Sequence, residues 1–227
     1  MTSSMPPPLF KGVFFDLDGT LADTAPDLVA AANLLRQSRQ LAALPFEELR
    51  PKASAGARGL IEGAFGYSPD HPDFLMLRDE FLSNYEKNIC VNSRLFDGIE
   101  ELLQTFEDHQ LAWGIVTNKI ERFTVPLLKL MGISDRSHAN VSGDTTPHAK
   151  PHPAPILKAA EICGIDPSVC IYVGDDLRDI EAGKAAGMKT VAAAYGYCGC
   201  DEPISDWGAD YIIHHPLELN QIIFAKP

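Results

Sequence analysis

Two carboxylates, Asp16 and Asp18, stand two residues apart in Asp16-Leu17-Asp18-Gly19-Thr20, directly after an apolar run. In an extended segment that spacing turns both side chains to one side, and Gly19 lets the backbone bend sharply behind them. One such carboxylate can attack phosphorus while the other exchanges a proton. Thr117-Asn118, placed between a predicted strand and a predicted helix, offers a hydroxyl and backbone N–H groups to a phosphate oxygen. Lys150 lies in Ala149-Lys150-Pro151-His152-Pro153, where two prolines ahead of a helix restrict the chain and fix one point charge. Gly174-Asp175-Asp176-Leu177-Arg178-Asp179 adds hard oxygen ligands of the kind that suits Mg²⁺, which binds through carboxylates, water and a substrate phosphate. Taken singly these clusters are weak, since turn acids are ordinarily solvated and a threonine before a helix is ordinarily a cap. In this order, each at the end of a predicted strand, they compose a phosphoryl-transfer site.

The elements that must position them follow from hydrophobic periodicity. Residues 11–15 read as a short buried strand that ends at the first acid pair. From Thr24 the period changes. Leu28, Ala31, Ala32 and Leu35 recur at helical spacing, with Thr24 as N-cap and Asp27 in the first turn. Phe74, Leu77, Phe81 and Tyr85 form a second helical stripe, Ile99, Leu102, Leu103 and Phe106 a third, and no strand is expected between about residues 24 and 90. Thereafter strands at 111–116, 139–142, 169–173, 190–194 and 211–213 alternate with helices through 127–131 and 156–162. Such alternation specifies an α/β fold, a doubly wound, Rossmann-like parallel sheet that binds ligands beyond the carboxyl ends of its strands. The helical stretch that interrupts the alternation reads as an inserted cap. The predicted division is a core of 10–22 and 92–227 and a helical cap of 23–91.

Thirty-one acids against nineteen bases give the 227 residues a net charge of −12, which repels phosphate backbones and anionic lipid. No basic cluster offsets it, so neither nucleic acid nor a membrane surface is an expected partner. No stretch approaches the roughly 18 apolar residues of a membrane span, and the first nine residues lack a signal-peptide pattern. The expectation is a cytoplasmic protein, monomer or homodimer, acting on a small molecule. Five cysteines without C-x-x-C spacing read as reduced thiols, with Cys198-Gly199-Cys200 a turn holding incidental ones. The histidines show no metal spacing, and Trp113 and Trp207 are expected to pack in the core.

Asp16-Leu17-Asp18-Gly19-Thr20, Thr117, Lys150 and Gly174-Asp175-Asp176 with Asp179 resemble the four motifs of the haloacid dehalogenase superfamily, in family order and across nearly the whole chain. The second acid, Asp18, resembles the phosphatase branch and argues against the dehalogenases, which lack it; the helical insertion looks like a type 1 cap. The resemblance implies that Asp16 is a nucleophile forming an aspartyl-phosphate and Asp18 the acid that protonates the leaving alkoxide and later activates water. Thr117, Asn118 and Lys150 would hold the phosphoryl oxygens. Mg²⁺ would sit on the carboxylates of Asp16 and Asp175 and the backbone carbonyl of Asp18, while Asp176 and Asp179 would orient Lys150 or water on the metal. Mg²⁺ and Lys150 would then supply the local positive field that this acidic chain lacks elsewhere.

Within the superfamily, Lys150-Pro151-His152-Pro153 through Val173-Gly174-Asp175-Asp176, Ala185-Ala186-Gly187 and Tyr195-Gly196-Tyr197 resemble the phosphoglycolate phosphatases. Residues 174–181, with Trp207-Gly208-Ala209-Asp210 and 215–219, are also similar to the bacterial N-acetylmuramic acid 6-phosphate phosphatases. Phosphoglycolate is the first substrate expectation and the sugar-acid phosphate the second. In the cap, Arg58 in Ser54-Ala55-Gly56-Ala57-Arg58-Gly59 is placed to reach a substrate carboxylate, the alternative being a surface arginine at a helix start. A sugar phosphomutase uses the same fold and first acids, and differs by excluding water. A non-enzymatic regulator is disfavoured by the intact Asp16, Asp18, Lys150 and Asp175.

Overall fold

The structure, a computed structural model, describes residues 6–199 and 202–225. Along the chain, β1 (Gly12–Phe15) is followed by the short β2 (Ala22–Asp23) and the helices α1 (Ala25–Ser38), α2 (Phe46–Leu49), α3 (Gly56–Phe65) and α4 (Phe74–Lys87). Then come β3 (Arg94–Leu95), α5 (Ile99–Asp108), β4 (Ala112–Val116), α6 (Glu121–Leu130), β5 (Ala139–Val141) and α7 (Ala154–Cys163). The chain continues through β6 (Cys170–Gly174), α8 (Leu177–Ala185), β7 (Lys189–Ala193), β8 (Tyr211–Ile213) and α9 (Leu219–Ile223). Each expected strand lies within one residue of its expected bounds, and among the described residues no strand falls between 24 and 90. Helix α8 was not expected. Its sequence is charged and its apolar stripe thin, and it is started instead by a reciprocal cap in which Asp176 accepts from the Arg178 N–H and Asp179 from the Asp176 N–H.

The main sheet has the order β5-β4-β1-β6-β7-β8, with every pair parallel. All four residues of β1 are buried. Val13 and Phe15 point to one face, with Trp113, Ile115, Ile171 and Val173, and are covered by α5, α6 and α9. Phe14 points to the other face with Val116 and Tyr172, beneath α7 and α8. Burial on both sides is why the strands read as continuous apolar runs rather than alternating ones. From β1 the chain steps outward first through β4 and β5 and then, in the other direction, through β6, β7 and β8, so the topological switch point lies at β1.

The chain leaves this sheet at β2 and returns at β3, which pair antiparallel. Between them α1 packs against α3 and α4 through Leu28, Val29, Ala31, Ala32, Leu35, Leu60, Phe81 and Tyr85, a helical cap whose apolar face is continuous with the sheet's core. Two buried groups tie this cap to its hinge strands. The Asp27 carboxylate accepts from the backbone N–H groups of Val91, Asn92 and Ser93, which ties the segment before β3 to the first turn of α1. The Tyr197 hydroxyl accepts from the N–H groups of Thr24 and Ala25 at 2.7 and 2.8 Å, capping α1. Thr24 therefore holds the expected N-cap position without capping, because its own hydroxyl donates to Asp18. Trp113 and Trp207 are both buried, as expected. Cys200 lies outside the described residues. Among the described residues no helix is long and apolar enough to cross a membrane.

Candidate active site

The register that pairs Phe15 with both Ile115 and Val173 brings the carboxyl ends of β1, β4 and β6 to one level. Asp16, Thr117 and Asp175, the polar residues that follow, line one cavity of about 330 Å³ together with Asp18, Lys150 and Asp179. The opposite wall is cap: Leu28, residues 53–57, Phe81, Leu82 and Tyr85. Gly19 makes the turn possible, with a φ of +89° and an α-carbon on which a Cβ would stand 2.2 Å from Asp175 Oδ2. The Asp175 carboxylate is fixed there by Thr20 Oγ1, which donates to Oδ1 at 2.8 Å, and by the Tyr197 N–H, which donates to Oδ2 at 2.9 Å.

Asp16, Asp175 and Asp179 bring carboxylate oxygens within 4.8 Å of one another. Burial, with Asp16 and Asp179 nearby, pushes the Asp175 carboxyl well above the usual range against its two hydrogen bonds. Burial also pushes Asp179 up to about 7, with Lys150 opposing and Asp16 adding. Lys150 is buried among them. Its Nζ lies 2.7 Å from Asp179 Oδ1 and 2.9 Å from Asp16 Oδ1, and donates to Val116 O and to the Tyr172 hydroxyl, both at 2.9 Å. Against the cost of burial, the two carboxylates hold the Lys150 ammonium well above its ordinary value. One ammonium does not balance three carboxylates, and the buried Asp16 Oδ1 has the Lys150 ion pair without a further hydrogen bond among the described residues. The donor set, all hard oxygens, fits a divalent cation.

Several expected residues take other positions or partners. The Asp18 carboxylate stands outside the acidic group, engaged by Thr24 and by Lys119, whose Nζ donates to its two oxygens at 2.9 and 3.1 Å. Asn118 lines the cavity, and its side chain is engaged with Lys150. It accepts from the Lys150 N–H at 2.9 Å and donates to the Lys150 carbonyl at 3.0 Å, so it positions the lysine through its backbone. The Asp176 side chain bonds neither Lys150 nor the acidic group, since its oxygens are taken by the α8 cap and the Arg178 guanidinium; only its backbone N–H reaches Asp179, at 3.1 Å. Arg58 is exposed and absent from the cavity wall, because α3 begins at Gly56, presents Gly56 and Ala57 to the cavity and turns Arg58 to solvent.

The bases at the cavity that sequence reasoning missed are Lys119 and Arg178. Asp18 holds the Lys119 ammonium above its ordinary value despite burial, and Nζ lies 4.8 Å from the centre of the Tyr85 ring on α4. Its place in the turn before α6, directly after Thr117-Asn118, was the available signal. Arg178 pairs with Asp176 and donates to the Ser54 carbonyl of the cap at 2.9 Å, joining the two walls; no sequence signal pointed to that contact.

A family model described as haloacid dehalogenase-like hydrolase matches residues 13–193. The N-acetylmuramic acid 6-phosphate phosphatase of Pseudomonas aeruginosa is 45% identical over 213 residues, 94% of each chain. The phosphoglycolate phosphatase of Xanthomonas campestris pv. campestris is 43% identical over 210 residues, 92% of this chain and 94% of that one. The crystal structure of a predicted phosphoglycolate phosphatase from Haemophilus somnus superposes with a TM-score of 0.83 at 28% identity, covering 94% of this chain and 98% of that chain.

Proposed function

Since the chain belongs to the haloacid dehalogenase-like hydrolases, we propose that it is a phosphatase that cleaves small phosphomonoesters through an aspartyl-phosphate on Asp16, with residues 23–91 as cap over a core of 10–22 and 92–227. A carboxylate oxygen of Asp16 attacks phosphorus, the bond from phosphorus to the alcohol oxygen breaks, and Asp18 passes a proton to that oxygen. In the second half Asp18 takes a proton from water, the water oxygen attacks phosphorus, and inorganic phosphate leaves Asp16 free. Lys150 and Thr117 hold phosphoryl oxygens, and Asn118 keeps Lys150 in place. Mg²⁺, held by Asp16, Asp175 and the backbone carbonyl of Asp18 with Asp179 close by, would neutralise the phosphoryl oxygens as charge builds. The observation that carries this reading is the Asp16 carboxylate on the cavity floor, ion-paired to a buried ammonium and grouped with two more carboxylates.

Two substrates are in view, phosphoglycolate and N-acetylmuramic acid 6-phosphate, the compounds named for the relatives. The cavity favours the second. Its 330 Å³ reaches the range of pockets for drug-sized ligands, roughly 300–1,000 Å³. Its cap wall is mostly apolar, so it offers cover to the carbon skeleton of a sugar that a two-carbon acid would leave empty. Phosphate release measured over a panel containing both, with chromatography for isomerised phosphosugar, separates the hydrolase from a phosphomutase. Asp16→Asn should abolish release while the protein stays folded, because an amide of nearly the same volume cannot attack phosphorus. Appreciable turnover by the folded variant removes Asp16 as the nucleophile.

A further inference from the structure

Among the described residues, the cap wall carries two buried polar atoms without a hydrogen bond of normal geometry, the Tyr85 hydroxyl and Ser54 Oγ. Tyr85 is 1% exposed. Its ring is fully employed: it stacks on Phe81 with centroids 6.5 Å apart, meets Phe123 at 5.7 Å and covers the Lys119 ammonium. The hydroxyl is not. The Lys119 ammonium interacts with the hydroxyl and favours the phenolate, yet its two close hydrogen bonds, at 2.9 and 3.1 Å, go to Asp18. Burial still prevails and pushes the phenol up to about 12, so at neutral pH the group is a neutral O–H.

A phenylalanine would fill the same space and make the same ring contacts without the cost of an unpaired buried hydroxyl. Buried polar groups are almost always paired, so an orphan on a cavity wall points to a partner that arrives with the ligand. The surrounding wall, Leu28, Ala57, Phe81 and Leu82, has no side-chain polar group to offer. Lys119 and Arg178 are already engaged by Asp18 and Asp176, so the groups left on this wall are neutral ones.

Resting on the hydrolase reading above, we infer that Tyr85, with Ser54, is a specificity-determining residue that hydrogen-bonds a neutral oxygen of the alcohol moiety, a hydroxyl, ether or amide, and so selects a sugar-like phosphomonoester over a two-carbon acid phosphate. A site built around hydrogen-bonding groups discriminates strongly, because a ligand lacking the matching oxygen leaves those groups buried and unpaired.

The test is the ratio of kcat/KM for N-acetylmuramic acid 6-phosphate to that for phosphoglycolate, in the wild type, Tyr85→Phe and Ser54→Ala, with p-nitrophenyl phosphate as a third substrate and the melting temperature of each protein. Wild type should favour the sugar phosphate, and Tyr85→Phe should cut the ratio about tenfold, with Ser54→Ala moving it the same way. The melting temperature of Tyr85→Phe should be unchanged or higher, since no partner in the fold is lost. Arg58→Ala, outside the cavity, should leave the ratio where it is. A wild-type preference for phosphoglycolate, a ratio untouched by Tyr85→Phe, or a variant that melts several degrees lower overturns the inference, the last because it reveals a partner within the fold. No phosphate release by the wild type from any of the three overturns the hydrolase reading itself, and this inference with it.

Discussion

In the presence of a chelator, the melting temperature should fall as pH rises from about 5 to about 7. Asp179 carries the effect: burial, against Lys150, moves its carboxyl from an ordinary 3.8 up to about 7, and Asp175 moves in the same direction. A carboxyl raised in the fold keeps a proton that the unfolded chain has already released, so its stabilising contribution is present at low pH and is lost as pH rises through the folded value. Carboxyls moved the other way, such as Glu80, Asp176 and Asp210, are ionised in both states by about pH 5 and add no slope above it. At up to about 1.4 kcal/mol per pH unit for one proton, tapering as the folded group ionises, Asp179 alone removes about 2 kcal/mol across this interval. For a chain of this size that is a fall of about 4–8 °C. A divalent cation among Asp16, Asp175 and Asp179 replaces those protons, so Mg²⁺ should raise the melting temperature most at the upper end and flatten the curve. Differential scanning fluorimetry in EDTA and in Mg²⁺, on the wild type and on Asp179→Asn, measures both effects, and the variant should show the smaller slope in EDTA. A level or rising curve for the wild type in EDTA refutes the argument from buried acids, and a slope that Mg²⁺ leaves untouched refutes the cation site.

Lys150→Met should cost about 3–5 kcal/mol, or about 6–20 °C in melting temperature, because it strands Asp16 and Asp179 without their buried counter-charge. Calorimetry should show part of that loss recovered at lower pH, where the carboxyls protonate, and phosphate release should be lost. Gly19→Ala should fold with a loss of about 1–2 kcal/mol from the left-handed backbone and lose activity out of proportion, since the added methyl displaces Asp175. Equal kcat/KM in the two proteins would show that the Asp175 position does not matter to the reaction.

The sheet, and where its functional ends lie, can be read from the amino-acid sequence. Strands buried on both faces must be apolar throughout, so 12–15, 112–116 and 170–174 stand out against the polar turns that end them, and the strand-helix alternation leaves little choice but a parallel, doubly wound order. Asp16, Thr117, Lys150 and Asp175 were legible for the same reason: each follows a strand or precedes a helix at a fixed offset, and local spacing carries that information. Contacts between segments far apart in the chain exist only in the folded molecule. Asn118 clamps Lys150 across 32 residues, Lys119 reaches Asp18 across 101, and Arg178 reaches the cap at Ser54 across 124. The same limit separated Arg58, whose loop looked suitable, from Tyr85, which reads in sequence only as one more apolar position of a helical stripe. Periodicity states that a helix face is buried; whether it is buried against another helix or against a cavity depends on how the cap lies over the core, and that is set by Asp27, Tyr197 and Arg178 acting across the fold.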